Sequence, residues 1–450
     1  MTDRTPWLPL IGTFGDETMA GIFSEAAAIA GWLAVERALA EAQGELGLLR
    51  GEEVRAVVDA AVADRVDPGA LRRRTRVVGY PILPLIELVA EAGTEATGAA
   101  IHLGATTQDI MDSALALQLV RASDRLSELI AAIGDALAGL VESHQGTVMA
   151  GRTHAMQAVP TTFGAKCAVW LAEMTRHRRR MAAARAEVGV VSLFGADGTS
   201  AALGPRAAEV RAGVAERLGL ADTAISWHPA RDRIAEWGFT AALAATTCGK
   251  IAREVIALGR TEIGEVREAA GHHRGASSTM PQKANPITSE VTVGLSSLAA
   301  GRVGDLLLAT QVGHERAAGE WQLEWDALPS LACSAAGALA ATGELLRGLS
   351  VDAARMRLNL GADSGLVMAE AAMMALAPVL GRMRAHDLVY AAAAGARRDG
   401  VSLDVALREA MAGEPALVGV TLPASLLPED YLGDVELACA SAVSAWRAGG

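Results

Sequence analysis

Aromatic side chains make up only 4% of this 450-residue chain, and strand-forming residues are sparse. Tracts such as FTAALAATTCGKIAREVIALGR carry good helix formers, no proline and little glycine, which points to a mostly α protein. Positive charge does not dominate either. A formal charge of −12 argues against nucleic acid and anionic membranes as partners, although a few converging cations could still hold a small anion. The four cysteines, Cys167, Cys248, Cys333 and Cys439, form no C-x-x-C pair and read as free buried thiols in a reducing compartment. The opening MTDRTPWLPLIGTF lacks the basic start and apolar run of a signal peptide. The apolar tract LACSAAGALAATGELLRGL is interrupted by Glu344 and does not read as a membrane span. A cytoplasmic location is expected.

What is present is alanine and a total of 51% apolar residues. Many helical tracts are apolar nearly all round, as in helices buried within a bundle or an oligomer. At this length two or three domains are expected. Residues 1–109 alternate short helical patterns with loops. Residues 110–349 carry longer ones, and after GLSVDAARMRLNLG the helices shorten through 350–450. Between Thr162 and Val188, Phe163, Cys167, Trp170, Met174 and Met181 keep one helix face. Further long patterns run through 205–219, 235–265, 288–311 and 327–348. Five helices longer than twenty residues imply an elongated central bundle whose apolar surface is covered by neighbouring subunits. The basic knot RHRRR at 176–180 reads as a solvated face.

Polar loops interrupt this background. HLGATTQDIMDSA (102–114), GRTHAMQAVPTTFG (151–164), HPARDR (228–233), the opening loop and RGASSTMPQKANPITSE (274–290) hold residues that a core does not need. Each has a plain structural reading. Thr106, Thr107 and Asp109 can cap the following helix. Thr153 and His154 can be ordinary loop residues, and the RDR at 231–233 can be a surface ion-pair strip.

Taken together and in this order, the loops resemble the fumarase/aspartase superfamily. Its pattern S-S-x-x-P-x-K-x-N is filled by Ser277, Ser278, Pro281, Lys283, Asn285, with Glu290 a few positions on. GRTHAMQAVPTTFG and GATTQDIMDSA look like the other two blocks of that superfamily. The resemblance spans nearly the whole chain and implies an all-α fold, a homotetramer around a twenty-helix core, and active sites each built by three subunits. HLGATTQDIMDSA, WHPARDR, GHERAAGEWQLEWDALP and GLSVDAARMRLNL resemble the 3-carboxy-cis,cis-muconate cycloisomerase branch, with adenylosuccinate lyases as the next relatives.

The chemistry the resemblance implies is β-elimination from a succinyl skeleton. Proton loss beside a carboxylate gives an aci-carboxylate, whose dianionic charge demands preorganised donors. Ser277 matches the base. A serine hydroxyl serves only as an alkoxide, held by amides of the Gly275–Ser278 turn and by Lys283. The His of GRTH, His154, is the expected partner of the acid thirteen positions after the serine, Glu290. A carboxylate behind an imidazole fixes its tautomer and raises its basicity. Bacterial cycloisomerases typically lack both and read PHKRNP where this loop reads PQKANP, so the body resembles a cycloisomerase and the site a lyase.

Thr106, Thr107, Gln108, Thr153, Gln157, Arg233, Ser278, Met280 and Asn285 are the expected substrate contacts, while Arg231 and Arg316 are weaker candidates. Ala284 stands where adenylosuccinate lyases commonly carry arginine, so a compact substituted succinate is favoured over a nucleotide: an N-substituted aspartate or a nitrosuccinate-like compound, releasing fumarate. The alternatives are a lactonising cycloisomerase, an adenylosuccinate lyase, or an inert structural homologue. No cofactor and no metal is called for. His272 and His273 are adjacent without a Cys/His/Asp cluster, and GADGTSAALG lacks the context of a dinucleotide fingerprint.

Overall fold

The computed structural model describes residues 13–316, 318–420 and 427–449; most of the opening segment, residues 1–12, lies outside them. Six described helices exceed twenty residues. One, Glu25–Glu45, lies in the N-terminal third. The other five are the long central helices α1 (Thr107–His144), α2 (Phe163–Val188), α3 (Asp232–Leu258), α4 (Ile287–Leu308) and α5 (Glu320–Arg347). The pattern at 205–219 gives only a twelve-residue helix, Ala207–Leu218, because Gly219 takes a left-handed conformation and ends it.

Among the described residues strands are confined to two two-stranded antiparallel sheets: β1 (Val148–Thr153) with β2 (Met156–Thr162), and β3 (Val266–Arg267) with β4 (Ser350–Val351). GRTHAMQAVPTTFG is therefore a β-hairpin rather than the expected loop. Thr153 pairs with Met156, leaving His154 and Ala155 as a two-residue turn, both at positive φ (52° and 64°). Two-residue turns of this kind are most often Asn-Gly, and that signal is missing here.

The chain divides into two compact units, each assembled from separate stretches. The first comprises Met1–Ile130, His177–Gly249 and Val291–Ala341, and the second Ala131–Arg176, Lys250–Glu290 and Thr342–Gly450. Within the first, Leu33, Val57, Ile82, Leu85 and Ile110 form one apolar cluster and Leu39, Leu193, Val210 and Val214 another. Small residues let helices approach closely. A Cβ on Gly238 of α3 would stand 2.2 Å from Leu306 of α4. Within the second unit, Val148 and Ala150 of β1 join Leu360, Leu376, Val389 and Leu407 in one core. Helix α4 is long and apolar enough by composition to cross a membrane, and its most apolar stretch is only 28% buried in the single chain. Leu298, Leu307 and Leu308 are exposed on it. Cys167, Cys248, Cys333 and Cys439 are all free thiols.

Candidate active site

In the second unit the segment 274–290 is pinned at both ends. Glu268 receives the backbone N–H groups of Thr288 (3.1 Å) and Ser289 (2.8 Å) and the Ser289 hydroxyl (2.6 Å), capping the start of α4. Arg274 donates to Thr288 Oγ1 (2.8 Å) and to Glu344 (2.7 Å). Between these anchors the chain folds back on itself. Gly275 O accepts from the Asn285 backbone N–H (2.8 Å) and from Asn285 Nδ2 (3.1 Å). Gly275 has φ 67°, and a Cβ there would meet Asn285 O at 2.4 Å, so both the turn and the contact require glycine.

Ser277 Oγ accepts from the backbone N–H of Met280 (3.1 Å) and of Thr279 (3.3 Å). These donors lie after the serine, whereas the sequence pointed to amides of Gly275–Ser278; the loop turns at Thr279–Met280 and directs those N–H groups backward. Two amides converging on one hydroxyl oxygen favour its negative form. Ser277 itself is half-buried, while Ser278, Thr279, Met280 and Lys283 are exposed.

Lysine is rare here: Lys166, Lys250 and Lys283 are the only three. Lys166 is paired with Glu254 (2.7 Å) and Lys250 with Glu173. The Lys283 ammonium has no carboxylate partner among the described residues. This scarcity is a sequence signal that motif matching passes over.

His154, at the hairpin tip, and Glu290, in the first turn of α4, belong to the same unit, are exposed, and form no ion pair with each other within one chain. The hairpin is held from behind. Buried Glu265 takes Arg152 in a two-pronged contact (2.6 and 2.9 Å) and also accepts from Asn359 Nδ2 (2.8 Å). Gln157 Nε2 donates to Asn359 O (2.8 Å), and its Oε1 is buried without a partner. Thr153 is exposed beside the turn. Glu265 and Asn359 went unread in the sequence because they lie 113 and 202 residues from the hairpin positions they hold.

In the first unit the block 102–114 is fixed by buried acids. Asp109 accepts from Thr106 N (3.0 Å), Phe194 N (2.8 Å), Gly195 N (2.9 Å) and His228 Nε2 (2.8 Å). Thr106 and Thr107 are half-buried at the start of α1. Gln108 is fully buried, and its Nε2 donates to Asp112 and to His228 O (both 3.1 Å). Arg231 is not part of a surface strip. It is 1% exposed and grips Asp112 (2.7 and 3.0 Å) and Glu324 (2.8 and 2.5 Å). Burial pushes the Glu324 carboxyl upward against the pull of Arg231. Arg316 donates to Thr106 Oγ1 and to Ala196 O (both 3.0 Å) and makes no pair with its neighbour Glu315. Arg233 lies 3.9 Å from Glu187, with one terminal nitrogen buried and unpartnered.

An all-α chain with a serine cradled by amides in the loop that leads into α4 fits a family of lyases, and comparison agrees. The sequence model of the family described as "Lyase" matches residues 11–301, and the chain belongs to this family, within the fumarase/aspartase superfamily. It is 41% identical to 3-carboxy-cis,cis-muconate cycloisomerase of Pseudomonas aeruginosa, covering 92% of this chain and 91% of that one. It is 36% identical to N-acetyl-S-(2-succino)cysteine lyase of Dickeya dadantii (94% and 93% covered) and 38% identical to nitrosuccinate lyase of Streptomyces davaonensis (91% and 89%). The crystal structure of the 3-carboxy-cis,cis-muconate lactonizing enzyme from Pseudomonas putida superposes with a TM-score of 0.90 at 35% identity, covering 98% of this chain and 99% of that one.

Proposed function

We propose that this chain is a lyase that removes a leaving group from a compact substituted succinate and releases fumarate. The preferred substrates are an N-substituted aspartate or a nitrosuccinate-like compound. The observation that carries the proposal is Ser277 Oγ, accepting two backbone N–H groups in the loop that bears Lys283, the one lysine with no carboxylate partner among the described residues. As an alkoxide it takes the proton from the carbon beside a carboxylate. The electron pair spreads onto that carboxylate, stabilised by Lys283, and then forms the double bond as the neighbouring substituent departs with its own pair. His154, backed by Glu290, donates a proton or holds a carboxylate. Thr106, Thr107, Gln108, Thr153, Gln157, Arg233, Ser278, Met280 and Asn285 are assigned to substrate binding. Assembly is proposed as a cytoplasmic homotetramer in which His154 and Glu290 meet from different subunits. The exposed leucines of α4 support such assembly.

The second reading, a lactonising carboxymuconate cycloisomerase, is favoured by the 41% identity to an enzyme of that name. His154 and Glu290 favour the lyase. The two separate in one assay. The lyase reading expects absorbance of fumarate from nitrosuccinate or N-substituted aspartates and no consumption of 3-carboxymuconate; the opposite pair of results overturns it.

A further inference from the structure

The first unit contains a cavity of about 200 Å³ that the elimination does not use. In a chain with few aromatics, four of them line it: Phe23, Trp32, Trp321 and Trp325. Trp321 and Trp325 meet edge to face at 5.2 Å, and Tyr80 stacks on Trp321 at 6.0 Å, which fixes the ring directions. The polar lining includes Asp112 and Glu324, 1% and 3% exposed. Among the described residues their only cationic partner is Arg231, so the buried triad holds two carboxylates against one guanidinium. An uncompensated buried charge is costly. Indole faces attract cations, and most strongly where water is excluded. A volume below the usual 300–1,000 Å³ of ligand pockets limits the occupant to a few heavy atoms.

We infer that this cavity is a binding site for a small organic cation, an alkylammonium group that rests against Trp321 and Trp325 and neutralises the excess charge of Asp112 and Glu324. The site is independent of the elimination chemistry proposed above.

The test titrates the full-length protein with choline and, in parallel, with its neutral carbon isostere 3,3-dimethylbutan-1-ol at fixed ionic strength. Binding is read by calorimetry and by tryptophan fluorescence. Saturable choline binding, at least about tenfold tighter than the alcohol, is the expected result. Equal binding of the two would make the cavity merely apolar, and no binding would mean that a proton alone balances the triad; either overturns the inference. Trp325→Ala, at a rim position 39% exposed, should weaken choline about tenfold while circular dichroism and oligomeric state stay unchanged. Undiminished choline affinity in that variant would refute the site. Glu324→Gln should also weaken choline and leave the alcohol unaffected. If that variant does not fold, Trp325→Ala decides alone.

Discussion

Two polar clusters in this protein differ in how far their hydrogen bonds are used. Around α1, Asp109 accepts four donors, and Arg231 spends its guanidinium on two carboxylates; Asp109, Arg231 and Asp112 are under 2% exposed and Glu324 is at 3%. Around the head of α4, Ser277 has donors but no cation. Among the described residues Lys283 has no acid, and the side chains of His154, at the hairpin tip, and Glu290 have no partner. A saturated buried network fixes a backbone. The exposed set, short of hydrogen-bond partners, has capacity left for a substrate or another subunit, whereas the Arg231 triad is saturated in hydrogen bonds and short only of positive charge. The charged motif RDR and the loop SSTMPQK look equally functional as text, and only the accounting of partners separates them.

The largest expected effect tests the unsaturated cluster. Ser277→Ala should lower kcat by about 10²–10⁴-fold with the melting temperature unchanged. Unchanged turnover would remove Ser277 as the base, and a parallel loss of stability would erase the contrast. The saturated cluster should behave oppositely. Arg231→Met strands two buried carboxylates and should cost about 3–5 kcal/mol in denaturant unfolding. A mild effect would mean that the triad is less dry than its burial indicates.

The second unit is not loose throughout. Its last helix, Val435–Arg447, sets Trp446 against Gly134 of α1, with Trp446 Nε1 donating to Asp135 (2.8 Å). A Cβ at 134 would lie 2.1 Å from the indole, so Gly134→Ala should destabilise by about 1–3 kcal/mol, read by thermal unfolding.

A smaller change sharpens the hairpin side of the comparison. Ala155 has φ 64°, a conformation that costs a non-glycine residue about 1 kcal/mol. Ala155→Gly should therefore raise stability by about that amount while slackening His154, seen as a lower kcat. Smallest is a pH effect in the first unit. Burial alone would lower the pKa of His102, but Glu36, 2.6 Å away, overrides it and the pKa is raised above 6.5. The contribution of this pair is complete below about pH 6.5 and is lost as pH rises through the folded value. His102→Asn should flatten that slope in melting temperature against pH.

The loop proposed to carry the catalysis was legible because its residues are contiguous and their types are dictated by chemistry. The long helices were legible because periodicity and alanine content act within a few turns. The hairpin was missed because His-Ala is a poor turn signal, and its register is imposed by Arg152, Glu265 and Asn359. The donors to Ser277 were placed on the wrong side because the direction of a loop's N–H groups is set by where it turns.

By itself the sequence determined the helical class, the family and the identity of the residues able to carry charge and protons, since these depend on local propensity and on a short motif. Tertiary structure alone decided which of those residues are spent. Arg231 meets Asp112 and Glu324 across 119 and 93 residues of chain. Whether a charge is buried and paired depends on that packing, which no local stretch encodes.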